Sequence, residues 1–367
     1  MIRVLHVVSG MDRGGIETFI MNVYRNMNRD LIQFDFLVHT LEEKAYDKEI
    51  LSLGGKIYRI TPRSKGIRKN RRELNSFFKE NKHYNIVHHH VSSLSYIEPL
   101  KAAKRNKVEN RLVHGHSTRQ SGHWFHRVLH MYNKVFIKQI ATEYFACSDL
   151  VAKWIYPKNM VQKNKIIILK NGIDIKKYLF DVALEIETRK ELMISSKFVI
   201  GHVGRFSLPK NHEFLIDIFS EVLKKNKDSV LLLVGEGELE KKIKNKVKEK
   251  KIGDQVIFAG SQSDIPKYLS VMDVFVFPSI YEGLPISLVE AQSAGLKCVI
   301  SDSITDEVIV TNLIDKLSLN DNSRVWVEKI LENNKTYKRS NYTESLQANG
   351  YDIKSTVNYL KEEYLSF

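Results

Sequence analysis

Cysteine is nearly missing from this chain. Only Cys147 and Cys298 are present, far apart in sequence, so no disulfide framework is expected and a reducing compartment is. Long apolar runs are missing too. Stretches such as 230–234 reach about a quarter of the roughly 20 residues a membrane-spanning helix requires. The opening Met1-Ile2-Arg3-Val4-Leu5-His6-Val7-Val8 has neither the apolar core nor the cleavage site of a secretion signal, and reads as the first strand of a cytoplasmic protein. Low-complexity tracts are absent, which excludes a fibrous or disordered chain. Acidic charge is short in one half only. Residues 1–172 carry 30 Lys and Arg against 14 Asp and Glu, a surplus of 16, whereas residues 173–367 carry 27 against 29. Eleven of the 13 histidines also fall at or before His130. The first half is built to meet something anionic; the second is not.

What the chain does have is a regular alternation of short apolar runs and helical patterns. Runs at 4–8, 34–38, 56–60, 86–88, 111–114, 143–147 and 165–169 are expected strands of the first half. Between the first two, Phe19, Ile20, Val23, Tyr24 and Met27 recur at helical spacing over 16–27. The second half repeats this grammar at 198–202, 230–234, 256–259, 274–277 and 298–301. The alternation predicts an α/β protein with parallel sheets covered on both faces. The turn Asn171-Gly172 marks the boundary, giving Rossmann-like domains 1–172 and 173–350, with a cleft between them. A helical pattern from about Tyr351 (Val357, Leu360, Tyr364) is expected to pack back on the first domain.

Two segments carry candidate chemistry. In Gly204-Arg205-Phe206-Ser207-Leu208-Pro209-Lys210, a glycine ending a strand admits a ligand close to backbone, and Arg205 and Lys210 suit phosphate oxygens. Alone, this segment reads equally as a solvated basic loop. In Pro278-Ser279-Ile280-Tyr281-Glu282-Gly283-Leu284-Pro285, a strand end leads through Glu282 to a helix expected to start near Leu284 or Pro285, whose free N–H groups suit an anion. Glu282 and Glu290 could serve the helix dipole and the surface. Yet the apolar neighbours Leu288, Val289 and Ala291 suggest a buried helix, where an unpaired glutamate is costly, and sugar hydroxyls would be natural donors to both carboxylates.

Gly204-Arg205 with Lys210, then Glu-Gly-Leu-Pro-x-x-Leu-x-Glu-Ala carrying Glu282 and Glu290, resemble the GT4 family of retaining GT-B glycosyltransferases. Gly14-Gly15, Ala146-Cys147-Ser148, Asn171-Gly172-Ile173-Asp174 and Val234-Gly235-Glu236-Gly237 fit the same pattern, in order, over residues 2 to 301. Within the family the chain is most similar to enzymes of bacterial exopolysaccharide and capsule synthesis. The resemblance implies two Rossmann-like domains facing a central cleft: an acceptor domain and a nucleotide-sugar domain. It implies a hexosyltransferase that retains anomeric configuration and needs neither metal nor cofactor, its donor being a UDP- or GDP-linked sugar. By the same resemblance, Arg205 and Lys210 would neutralise the donor diphosphate. Glu282, with the Gly283 and Leu284 amides, would hold the donor sugar, and Glu290 the ribose. Gly15 would approach donor phosphate or acceptor, Gly204 would admit the donor close to backbone, His116 would touch the donor sugar, and the base would lie near Gly235–Gly237 and the loop after Gly260.

The remaining signals concern partners. His88-His89-His90 cannot bind one ion from a single strand, since their side chains alternate in direction, and a loop lining the cleft is expected instead. His123, His126 and His130, at spacings of three and four, share a helix face and form a basic, aromatic surface with Trp124, Phe125, Arg127 and Lys134, or equally a half-buried helix with solvated histidines. The cluster Arg63, Lys65, Arg68, Lys69, Arg71 and Arg72 suggests an anionic membrane surface and a saccharide or lipid-linked acceptor, which would make the protein peripheral at the inner face of the cell membrane. No nucleic-acid recognition signature accompanies it. A sugar-nucleotide epimerase or a non-catalytic nucleotide-sugar-binding protein would share the same motifs.

Overall fold

A computed structural model describes residues 1–118, 124–333 and 338–367. The chain forms two compact units, Met1–Gly172 with Asp352–Phe367, and Ile173–Tyr351. The first unit has a seven-stranded parallel sheet. Its strands are β1 (Ile2–Val8), β2 (Ile32–Val38), β3 (Ile57–Arg59), β4 (Ile86–Val91), β5 (Asn110–Gly115), β6 (Glu143–Ala146) and β7 (Ile167–Ile168), in the order 3-2-1-4-5-6-7. The central strands read as near-continuous apolar runs because helices cover both faces: Val4, Leu5, Val7, Phe34, Phe36 and Val87 are wholly buried. The C-terminal helix Ile353–Leu365 belongs to this unit, and its Tyr364 hydroxyl lies 2.7 Å from His88 Nδ1.

The second unit has six parallel strands, β8 (Phe198–Val203), β9 (Ser229–Val234), β10 (Val256–Gly260), β11 (Val274–Phe277), β12 (Lys297–Ser301) and β13 (Ile314–Leu317), in the order 10-9-8-11-12-13. Its core packs Ile200, Phe219, Leu231, Leu233, Val276 and Trp326. β13 has no counterpart among the expected strands, because Asp315 and Lys316 interrupt its apolar pattern. In both sheets the strand order reverses once, between β1 and β4 and between β8 and β11. Ligands of open parallel sheets bind beyond the carboxyl ends of the strands at such a point.

Two expectations need correction. The consecutive histidines do not form a loop: His88, His89 and His90 all lie inside the buried strand β4. The helix Trp124–Phe136 does not present solvated histidines. His130 is buried, its Nδ1 accepting from the Leu94 N–H at 3.0 Å, and His126 meets Arg63 Nη2 at 3.2 Å. His123 lies outside the described residues.

Candidate active site

The loops after β8 and β11 flank the reversal point of the second sheet, and three contacts join them. Ile280 N–H donates to the Pro209 carbonyl at 2.8 Å, and Asn211 Nδ2 donates to the Pro278 carbonyl at 3.1 Å. Asn211 holds a left-handed backbone (φ 55°) that ends the short turn Leu208–Lys210, a conformation asparagine tolerates better than most residues. The third contact joins the charges: Lys210 Nζ lies 2.8 Å from Glu282 Oε1, with both side chains mostly buried. The ammonium also sits 4.5 Å above the Phe277 ring, a cation–π contact that fixes its direction.

Behind Lys210 stands His202, a residue that sequence reasoning passed over. Its Nδ1 donates to the Val276 carbonyl at 2.8 Å, leaving a buried Nε2 lone pair with no partner. Burial holds its pKa down to about 3, so the ring is neutral beside the lysine. Gly204 is needed for this arrangement: a Cβ there would come within 3.0 Å of His202 Nε2 and 3.1 Å of Lys210 Cε. Gly235, at φ +137°, is equally constrained, since a Cβ would fall 2.2 Å from the Gly204 carbonyl oxygen. Its N–H donates to the Gly260 carbonyl at 2.8 Å, and Glu236 Oε1 accepts from Ser261 N–H at 3.1 Å. The two segments expected near a nucleotide base are thus side by side.

Arg205 does not join Lys210. Its side chain is 68% exposed and pairs with Glu238 at 3.3 Å, so the two cations expected to converge are not preassembled. The helix expected from Leu284 or Pro285 starts one or two residues later, as Ile286–Ser293, with Pro285 as its cap. Leu284 is buried and Gly283 partly so. Glu290 is buried on that helix and accepts from the Tyr178 hydroxyl at 2.6 Å. Desolvation pushes its pKa up to about 7, against the opposing effect of the Tyr178 bond. Tyr178 enters from a turn over a hundred residues earlier in sequence, and no local motif announces it.

In the first unit, Gly15 opens the helix Gly15–Asn26, and a Cβ there would meet open space, so crowding does not demand this glycine. His116 follows β5 and ends a column of buried imidazoles. His6 Nδ1 lies 2.9 Å from His90 Nε2, and His90 Nδ1 lies 2.9 Å from His116 Nε2. His88 stacks on His90 at 4.3 Å and His114 on His116 at 4.0 Å. Burial lowers the pKa of every member, so all five are neutral at pH 7. A neutral imidazole has one N–H and one lone pair. Run in either direction, the chain leaves one terminal N–H without a partner among the described residues, on His116 Nδ1 or on His6 Nε2. His116 Nε2 is thus engaged by His90, while its buried Nδ1 has no hydrogen-bond partner among those residues.

Two trios, His6 with His88 and His90, and His90 with His114 and His116, each offer one ligand atom within 4.8 Å of the others. The consecutive histidines share one strand, whereas these trios draw on β1, β4 and the end of β5. Neither includes a carboxylate or thiolate to offset a dication in a buried setting, and in each one pair, His6 with His90 or His90 with His116, is already hydrogen-bonded.

Comparison with known proteins completes the picture. Residues 13–177 match the family model described as Glycosyltransferase Family 4, and residues 185–346 the one described as Glycosyl transferases group 1. The putative glycosyltransferase EpsF of Bacillus subtilis is 35% identical, over 99% of this chain and 96% of its own length. Capsular polysaccharide biosynthesis glycosyltransferase CapH of Staphylococcus aureus is 28% identical, over 100% and 99%. An Escherichia coli enzyme named UDP-Gal:alpha-D-GlcNAc-diphosphoundecaprenol alpha-1,3-galactosyltransferase is 29% identical, over 77% and 75%. Among solved structures, Anabaena HepE in complex with UDP and glucose superposes with a TM-score of 0.82 over the whole of both chains at 16% identity, which speaks for the fold alone. With a GT-B pair of Rossmann-like units, both halves matched and a relative similar from end to end, the chain belongs to the family 4 glycosyltransferases.

Proposed function

We propose that the protein transfers a sugar, with retention of anomeric configuration, from a UDP- or GDP-linked donor to a lipid-linked or growing saccharide acceptor. The observation that carries the reading is the Lys210–Glu282 pair, held at the start of the helix Ile286–Ser293 beside the reversal point of the second sheet. In this reading the incoming diphosphate takes Lys210 from Glu282. Lysine then neutralises the phosphates together with the amides of Gly283 and Leu284, and the released carboxylate accepts from donor-sugar hydroxyls. Arg205 leaves its exposed partner Glu238 to add a second cation, while Glu290, oriented by Tyr178, serves the ribose. Gly204 admits the donor close to backbone, and the base occupies the neighbourhood of Gly235–Gly237 and the loop after Gly260. His116 contributes as a neutral imidazole whose Nδ1, without a hydrogen-bond partner among the described residues, takes a donor hydroxyl, and Gly15 offers backbone at a helix start.

The glycosidic bond breaks with its electron pair moving to the diphosphate oxygen. The acceptor oxygen bonds the anomeric carbon on the same face, and its proton passes to the departing phosphate. Lysine, arginine and helix amides supply the positive potential that this leaving group needs, which is why the reading calls for no metal or cofactor. Support for the donor comes from the UDP complexes of HepE, and for a lipid-diphosphate acceptor from the name of the E. coli relative. The basic first unit, Met1–Gly172 with Asp352–Phe367, would face that acceptor at the inner surface of the membrane. No helix among the described residues is long and apolar enough to cross a bilayer.

Incubation with UDP- and GDP-sugars, with and without extracted membrane lipids, tests the reading. Acceptor-dependent release of nucleoside diphosphate, with an α-linked product from an α-linked donor, is expected. Interconversion of donors without acceptor would instead identify an epimerase, and binding without turnover a carrier.

A further inference from the structure

The helix Trp124–Phe136 is turned inside out. Its polar residues His130 and Asn133 face the protein: Asn133 Nδ2 donates to the Leu94 carbonyl at 2.7 Å, and His130 accepts from the Leu94 N–H. Its apolar residues face outward. Trp124, Val128, Met131 and Val135 recur at spacings of four, three and four and are 52–71% exposed, with Phe125 and Tyr132 beside them at 54% and 59%. A helix in a soluble protein ordinarily buries its apolar stripe, and one contiguous exposed face of this size marks an interaction surface.

The surroundings of the face select its partner. Arg127 and Lys138 lie on the exposed side of this segment. The Arg63 contact with His126 ties the helix to the segment holding Lys65, Arg68, Lys69 and Arg72, all exposed. Ile67, in the middle of that segment, is 67% exposed as well. Apolar side chains fringed by cations, in the half of the chain that carries the whole surplus of positive charge, complement an anionic bilayer: rings and aliphatic chains enter the acyl boundary while the cations meet headgroup phosphates.

We infer that the helix Trp124–Phe136 is a membrane-docking element that lies in the plane of an anionic lipid surface, with its outward stripe inserted. The inference rests on the membrane-side acceptor proposed above and specifies what holds the enzyme there. Co-sedimentation of the full-length protein with phosphatidylglycerol-containing vesicles, scored without donor or acceptor, tests docking even if no sugar is ever transferred. Strong binding to these vesicles and weak binding to phosphatidylcholine are expected. Combining Val128→Glu, Met131→Glu and Val135→Glu should weaken binding roughly a hundredfold. Combining Val128→Leu, Met131→Leu and Val135→Leu should preserve it, and an unchanged thermal melt should show that both triple variants are folded. Equal vesicle binding by the folded glutamate variant would overturn the inference. So would a stable dimer in analytical ultracentrifugation that those glutamates dissolve, since the face would then belong to a second copy.

Discussion

Lys210 owes its position to four neighbours: the Glu282 carboxylate, the Phe277 ring, the neutral His202 and the bare Cα of Gly204. A cation fixed in this way need not reorganise when negative charge develops on a leaving group, and losing one such donor costs about 2.7–4 kcal/mol of barrier in other enzymes. Lys210→Ala should therefore lower turnover by about a hundredfold or more, with Arg205→Ala showing a loss on the same scale; near-normal steady-state rates in both would remove the phosphate role from this site. Glu290 gives a second prediction. Its pKa rises from 4.5 to about 7 on folding, through burial. The native state thus holds a proton that the unfolded chain has released, and stability falls as pH rises from about 4.5 through 7, by roughly 3 kcal/mol in all. Glu290→Gln should flatten this part of the stability profile in urea titrations between pH 5 and 8, while weakening nucleotide affinity in calorimetry. Lys210 and Glu282 were visible as motif residues. Tyr178 and His202 were not, because each reaches the site only through the fold: one from a distant turn, the other from inside a strand.

Among the elements, the strands were legible where both faces are buried, since such strands are continuous runs of Val, Ile, Leu and Phe. β13 fails that test, its Ile-Asp-Lys-Leu being half-buried throughout. The spacing of His123, His126 and His130 also implied a helix where Trp124–Phe136 lies, yet a repeat of 3.6 reports that a face exists and not which way it points. The same limit hid the imidazole column, whose members meet across β1, β4 and β5 and are neighbours in no single segment. The loop after β8 offers a test at this scale. Gly204→Ala would push directly on Lys210, so catalysis should fall while the melting temperature changes little. Gly235→Ala meets backbone oxygen at 2.2 Å from a left-handed conformation, and should destabilise the second unit by several degrees in calorimetry.

For the whole molecule, histidine distribution makes the two units respond differently to acid. His6, His88, His89, His90, His114 and His116 are buried neutral in the first unit, with pKa values driven down by desolvation. The second unit has His202 and His212 in that state. Each such residue binds a proton near pH 6.5 only when unfolded, so its stabilisation is complete above that value and declines below it. The loss is roughly 1.4 kcal/mol per histidine for each pH unit. Between pH 7 and 5.5 the first unit should lose stability several times faster than the second, splitting a single thermal transition into two. A transition that stays single down to pH 5 would contradict this. Charge asymmetry and strand alternation were readable from composition alone, but the buried state of these histidines was not.

The helix Ile353–Leu365 completes the first unit although all of the second unit precedes it in the chain. During synthesis, Ile173–Tyr351 is therefore whole on the ribosome before the amino-terminal sheet receives the Tyr364 that closes over His88. Domains usually mature in the order they are made; here the later one can finish first, and the earlier one waits for a segment translated after it.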